Sequence, residues 1–480
     1  MNTIEADPMG EPVRNRHCRA SILLWVAAGV CILCYPLRAH AAGAVDPGVR
    51  GGSPGAGSAF AALTSDEMAF FNDGRIRFLE VEVVSGGANN GLGPRFNSNQ
   101  CASCHAYPAI GGSSPPSNPL FAVAAMYGAQ NVVPWFNASS GPIREARFQR
   151  QPNGLRDGNV HALFVITGRS DAAGCNIAQP AFTPAGDPLS GQGGNPNIVF
   201  RIPTPVFGAG LIEAIPDSAI LGNMAANASA RQALNIGGHP NAILSGNVNT
   251  SANDGTITRF GWKAQNKSLL MFSGEAYNVE MGISNQLFPQ KRDETPGCTF
   301  EATPDDTSNF TPSGGAFTAV LSDIEAFSNF MRLLAPPVPA APTASSVNGR
   351  AIFEQIGCSL CHTPSLQTAN AIASGSAVSP SAALSNQSVN LFSDLIVHHM
   401  GSGLADGIAQ GAAGPDEFRS APLWGLGQRL FFLHDGRTSN LLEAIAAHRS
   451  PGSEANGVIA QYDRLDSRQT QDLLNFLRSL

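Results

Sequence analysis

The stretch "FNSNQCASCHAYPAIGG" occupies residues 96–112 and decides how the chain is read. Cys101 and Cys104 flank two small residues, and His105 follows at once. Three chemistries use such a spacing: a redox dithiol, half of a zinc site, and covalent attachment of a c-type haem. In the last, two thiols add to the haem vinyl groups as thioethers, and the adjacent imidazole reaches the iron from the same face. Ala102 and Ser103 are small enough to lie under a porphyrin.

A second motif, "CSLCH" at 358–362, weighs among the three. A closed zinc site brings its pairs within roughly 12–20 residues of each other, whereas these lie in different halves of the chain. A thioredoxin-like dithiol sits beside a βαβ unit, and neither flank reads as strand then helix. The expectation is two covalently bound c-type haems on Cys101, Cys104, Cys358 and Cys361, with His105 and His362 as iron ligands.

The N-terminus fits that chemistry. Arg14, Arg16 and Arg19 precede the apolar run "ASILLWVAAGVCILCYPL", and Ala39 and Ala41 bracket His40 in an A-x-A cleavage pattern. Residues 1–41 read as a signal peptide, the mature chain as periplasmic and without a membrane span. Of nine cysteines, Cys18, Cys31 and Cys34 leave with the signal. Four of the other six serve the motifs, and an oxidising compartment should join Cys175 to Cys298 as a disulfide.

With 51 glycines, 34 prolines and 14% charged residues, the chain is turn-rich, yet 43% apolar residues can build a core. No basic run suggests nucleic acid. Residues 42–59 and the proline-rich 336–346 read as linkers around two units, 60–335 and 347–480, each with one CxxCH near its start. Each unit ends alike, in "NFMRLL" and "NFLRSL". Ser322 and Glu325 form a capping box before the face Ile324, Phe327, Met331 and Leu334; Leu473, Phe476, Leu477 and Leu480 make the matching face. The fold class is mainly α: two cytochrome c-like haem domains, each with a terminal helix across the helix carrying CxxCH. The first carries long loop-rich insertions with short strands, such as "HALFVITG" and "NIVFRIPTP". So much ordered loop is costly and suits a pocket, hence an enzyme.

Several strings together resemble the di-haem oxidoreductase family, often labelled thiol oxidoreductases and related to bacterial di-haem cytochrome c peroxidases. They are "GLGPRFNSNQCASCHAYPAIGG", "FGAGLIEAIPD", "TRFGWKAQN", "VEMGIS", "GCSLCHTPSL", "DLIVHHMGSGLADG" and "APLWGLGQRLFFLHDGRTSNLLEAIAAH", in order over residues 60–480. The resemblance implies a periplasmic, mostly helical protein with two c-type haems, one receiving electrons and the other reacting with peroxide or oxygen. Cysteines consumed as thioethers cannot cycle as dithiols, so the thiol label misleads. Where the family reads His-Asp-Met-Gly, this chain has His398, His399, Met400 and Gly401.

Each CxxCH supplies one axial ligand. For the second iron His434 is the favoured sixth ligand, with Met400 and His398 as rivals and His399 behind them. Over the first iron a carboxylate should move the protons of peroxide. Glu213 in "GAGLIEAIPD" comes first, with a pKa raised by burial, and Glu280 second. Trp262 is a candidate relay between the haems or a packing anchor. Arg95, Arg259 and Arg437 are candidate partners for haem propionates, and His161 reads as structural. The function expected is a peroxidase-type oxidoreductase fed by a small periplasmic electron donor protein and reducing hydrogen peroxide or another small oxidant. An oxygenase or protein-modifying oxidase, and a non-enzymatic electron-transfer protein, are the alternatives.

Overall fold

The computed structural model describes residues 43–182, 197–242, 257–309, 320–369, 372–374, 377–379 and 381–480. The expected signal peptide lies outside the described residues. The elements that position the site are, in order, α1 (Ser65–Phe78), α2 (Cys101–Cys104), β1 (Glu145–Phe148), β2 (Val160–His161), β3 (Ile198–Arg201), α3 (Leu269–Met281), α4 (Asp323–Leu333), α5 (Ala344–Gln355), β4 (Val397–His399), β5 (Glu417–Arg419), α6 (Leu441–Ala446) and α7 (Ser467–Ser479).

Two helix pairs repeat one design. α1 starts at Thr64, whose hydroxyl accepts from the Glu67 amide at 3.2 Å while Glu67 caps the Thr64 amide at 2.8 Å. α4 starts with the Ser322–Glu325 capping box. The two helices cross where Gly74 meets Ala326: a Cβ on Gly74 would stand 2.1 Å from the Ala326 carbonyl oxygen. α5 and α7 cross in the same way at Gly349, where a Cβ would stand 1.9 Å from the Asp472 carbonyl oxygen. Only glycine allows backbones this close. Phenylalanines fill the flanks of both crossings, with Phe78 and Phe330 rings 4.9 Å apart in one and Phe353 and Phe476 5.4 Å apart in the other. The terminal helices α4 and α7 thus cross the helices preceding the CxxCH motifs. The motifs themselves are too short to serve: α2 is a single turn, and Cys358–Leu360 is a 3₁₀ turn.

The loop-rich region contributes a three-stranded antiparallel sheet in the order β2-β1-β3. It also reaches into the C-terminal part. His239 pairs with Val397 through backbone hydrogen bonds, Arg201 and Lys263 both bind Asp406, and Arg231 binds Asp394. Of the segments read as linkers, the described part of the first packs against α7, and the second leads into α5, whose first turn takes residues 344–346. Asp46 pairs with Arg478 at 2.8 Å, and the Ala340 amide donates to Ser479 O at 2.7 Å. Cys175 and Cys298 are bonded to each other, and Cys101, Cys104, Cys358 and Cys361 take part in no disulfide. Among the described residues no helix is long and apolar enough to cross a membrane.

Candidate functional site: two cavities at the CxxCH motifs

Each CxxCH lines its own cavity. The first has about 1250 Å³ of atom-free space, counting the part open to solvent, and the second about 1460 Å³. His105 Nδ1 lies 3.1 Å from Gly112 O, and His362 Nδ1 lies 3.2 Å from Phe392 O and 3.1 Å from Ala421 O. With Nδ1–H donated to a carbonyl, Nε2 of each ring keeps its lone pair. Burial lowers the pKa of both rings, and His362 falls to about 4 through burial and then the neighbouring His448. Both stay neutral, as a metal ligand must. Burial also drives the thiols up: Cys101 well above the usual range, Cys104 to about 11 and Cys358 to about 12. A redox dithiol needs the opposite shift.

In the first cavity Glu280 stands near the end of α3, and the quoted stretch itself holds it. The Asn97 side chain donates to Glu280 Oε2 at 2.7 Å, and the Asn97 amide to Glu280 O at 2.6 Å. α3 can stop there because Gly282 adopts φ +67°, next to Gly93, whose amide donates to Met281 O at 2.8 Å. Burial, then the charge of Glu145, push the Glu280 carboxyl well above its ordinary range. Burial would raise Glu145 too, but Arg147, at 2.6 Å, and its hydrogen bond with Glu280 hold it low. The two carboxyls therefore share one proton, resting on Glu280. Glu145 has no sequence signal beyond a charge within a strand. His105 is the one imidazole lining this cavity among the described residues.

Glu213 is elsewhere. It lines neither cavity, and its carboxylate takes Arg332 Nε at 2.7 Å and the Leu269 amide at 2.8 Å. Burial alone would raise its pKa, but Arg332 outweighs burial and lowers it, reversing the expected direction. Glu213 is an anchor between helices. Replacing Arg332 by alanine should destabilise the fold by about 3–5 kcal/mol, because the carboxylate is left buried and unpaired. Denaturant unfolding measures this, and an unchanged midpoint would refute it.

In the second cavity the "VHHM" string splits by strand period. His398 and Met400 line the cavity, while His399 points outward to Asp416 at 3.0 Å and Glu417 at 3.1 Å. Both His398 nitrogens are taken, Nε2 by Asp394 at 3.0 Å and Nδ1 by Glu454 at 2.9 Å. A carboxylate on each nitrogen keeps both ring protons in place. His398 is thus a buried cation with no lone pair to offer iron, and His399 is turned away from the cavity. His434 lines the cavity, stacked on Phe418 at 4.2 Å and edge-on to Trp262 at 6.4 Å. Trp262 lines both cavities and donates Nε1–H to Ile202 O at 2.9 Å.

The three arginines expected at propionates are all paired with acids: Arg95 with Asp293, Arg259 with Asp217, Arg437 with Asp435. Arg419 and Arg429 line the second cavity instead, and among the described residues neither makes an ion pair. Burial lowers both to about 10, and in Arg419 the neighbouring charge of Arg429 adds to it. Two guanidiniums that line one cavity outside any ion pair suit an anionic ligand. With the paired thiols and the free imidazole lone pair, the donor set fits a haem. His161 pairs with Asp157 at 3.1 Å and lines neither cavity.

A family model described as "Di-haem oxidoreductase, putative peroxidase" matches residues 195–480. The chain belongs to this di-haem oxidoreductase family. Three solved structures are similar to it. A MauG-like protein associated with microbial copper homeostasis is 20% identical over 34% of this chain and 53% of its own, with a TM-score of 0.23. The hydrazine synthase of Kuenenia stuttgartiensis is 19% identical over 38% and 59%, with a TM-score of 0.22. A variant of the diheme peroxidase BthA from Burkholderia thailandensis is 14% identical over 58% and 87%, with a TM-score of 0.26. This di-haem oxidoreductase spans about half the length of the first of these. No curated protein matches it.

Proposed function

We propose that this di-haem oxidoreductase is a periplasmic peroxidase: Cys101 and Cys104, and Cys358 and Cys361, attach two c-type haems covalently, and His105 and His362 ligate the irons. Electrons from a small periplasmic donor protein arrive on the side of the second motif, and hydrogen peroxide is reduced to two waters at the first. The observation that carries this reading is the unequal equipment of the two cavities. Among the described residues the first offers a protonated carboxyl and no second imidazole, and the second offers several imidazoles and two arginines outside any ion pair. Bound haem would supply the redox-active iron.

The chain's own residues do the proton work. Reduction of peroxide consumes two protons and two electrons. Glu280 gives its proton to the leaving oxygen, and Glu145, held ionised by Arg147, takes up the proton released by the incoming peroxide. Asn97 fixes the Glu280 carboxyl in place. Trp262, shared by both cavity walls, offers a π-system on the electron path.

The test is the full chain matured with covalent haem, examined by absorption and electron paramagnetic resonance before and after half-reduction, then titrated with peroxide. The expected result is two haems per chain, one high-spin or made so on half-reduction, reacting rapidly with peroxide. Two six-coordinate irons inert to peroxide would leave only an electron-transfer role. Stable oxygen binding without peroxide reactivity would favour an oxygenase or protein-modifying oxidase.

A further inference from the structure

We infer that His448 is the second protein ligand of the iron held at Cys358, Cys361 and His362. The inference rests on the covalent-haem reading above, and deepens it by replacing His434, the residue favoured from sequence.

An imidazole that binds iron meets two requirements. One ring nitrogen must keep its lone pair, and the other is normally fixed by donating its N–H to a carbonyl or carboxylate. His448 sits just past the end of α6, where Nδ1 lies 2.8 Å from Ala444 O, one turn back. Nε2 then carries the lone pair, and the ring lines the second cavity together with His362. This is the arrangement already seen at His105 and His362, with Nδ1 on a backbone carbonyl. The other imidazoles of the cavity lack it. His398 has both nitrogens on carboxylates. His434 is held by stacking on Phe418, and among the described residues no hydrogen bond fixes its ring.

Position agrees with donor chemistry. His448 and His362 both line the second cavity, and neither lines the first. His434 lies toward Trp262, on the side that faces the first cavity. The roles separate accordingly: His448 completes the iron's ligand set, and His434 stands with Trp262 between the two cavities. An iron with two imidazoles is six-coordinate and low-spin, which suits the electron-storing centre.

The test compares wild type with His448→Gly, His434→Ala and Met400→Leu, each as the full chain matured with haem. The readouts are haem content and the spin state of each ferric haem by low-temperature electron paramagnetic resonance. His448→Gly should convert one low-spin signal wholly to high-spin, and free imidazole should return it. His434→Ala and Met400→Leu should keep that signal. A low-spin signal that survives in His448→Gly, or is lost in His434→Ala, overturns the inference. So does a wild-type thioether-to-iron absorption band that disappears in Met400→Leu. Should the glycine variant fail to fold, His448→Met serves, with such a band appearing as the expected outcome and an unchanged spectrum as the contrary one. A wild-type chain that carries no covalent haem overturns the functional reading itself, before any variant is compared.

Discussion

Glu280→Gln should lower peroxide turnover about 10²–10⁴-fold while leaving haem content and fold intact. Glutamine preserves the shape and the Asn97 hydrogen bond but has no proton to give. The size of the loss follows from the site: Glu280 is buried, lies beside Glu145, and carries the proton the pair shares. Glu145→Gln should act in the opposite sense on the neighbouring acid. Without the Glu145 charge, Glu280 loses one of the causes of its raised pKa, and the alkaline limb of the pH–rate profile should move to lower pH. That limb reports the pair rather than either residue alone. Stability gives an independent reading. A carboxyl whose pKa is raised on folding contributes stability that is fully present below its unfolded value of about 4.3 and lost as pH rises through the folded value. Wild type should therefore lose stability relative to Glu280→Gln as pH rises from about 4.3 toward the folded value. Equal turnover in the two proteins, measured per haem by peroxide consumption, would remove Glu280 from the chemistry.

Paired serine substitutions at the two motifs should have unlike consequences. Cys101→Ser with Cys104→Ser should halve the covalent haem and abolish peroxide turnover. Cys358→Ser with Cys361→Ser should also halve the haem, yet leave a first centre that binds peroxide without turning over on electrons from a donor. The asymmetry follows from the cavities, since Glu145 and Glu280 line the first, and Arg419 and Arg429, outside any ion pair among the described residues, line the second. Haem per chain by the alkaline pyridine assay, with stopped-flow peroxide mixing, separates the cases. Identical behaviour of the two double variants would show that the centres are interchangeable.

The features legible in the sequence are those encoded over a few residues. A CxxCH spacing is set by covalent chemistry, a capping box by two hydrogen bonds within one turn, and an amphipathic terminal helix by its period. The helix cap at Ser322 and the faces ending at Leu334 and Leu480 follow from such local rules. The glycines at the helix crossings were present as letters, but a close approach has no local signature. His448 stands in plain view at the end of "LLEAIAAH", yet only the fold, which seats its Nδ1 on the Ala444 carbonyl, distinguishes it from His434.

What tertiary structure decided is the protonation and pairing of buried groups. Glu213 and Glu280 look alike in sequence, each a lone acid among apolar neighbours. Glu213 meets Arg332, 119 residues away, and stays ionised. Glu280 meets another carboxylate and stays protonated. His398 is likewise removed from the list of iron ligands by Glu454, 56 residues on. Desolvation makes a charge in the interior costly in every case, and its sign of outcome depends on the one partner that folding brings alongside. The sequence by itself marked the two CxxCH motifs as candidate places of haem attachment; the fold decided which buried acid holds a proton and which imidazole of the second cavity has its Nδ1 on a backbone carbonyl.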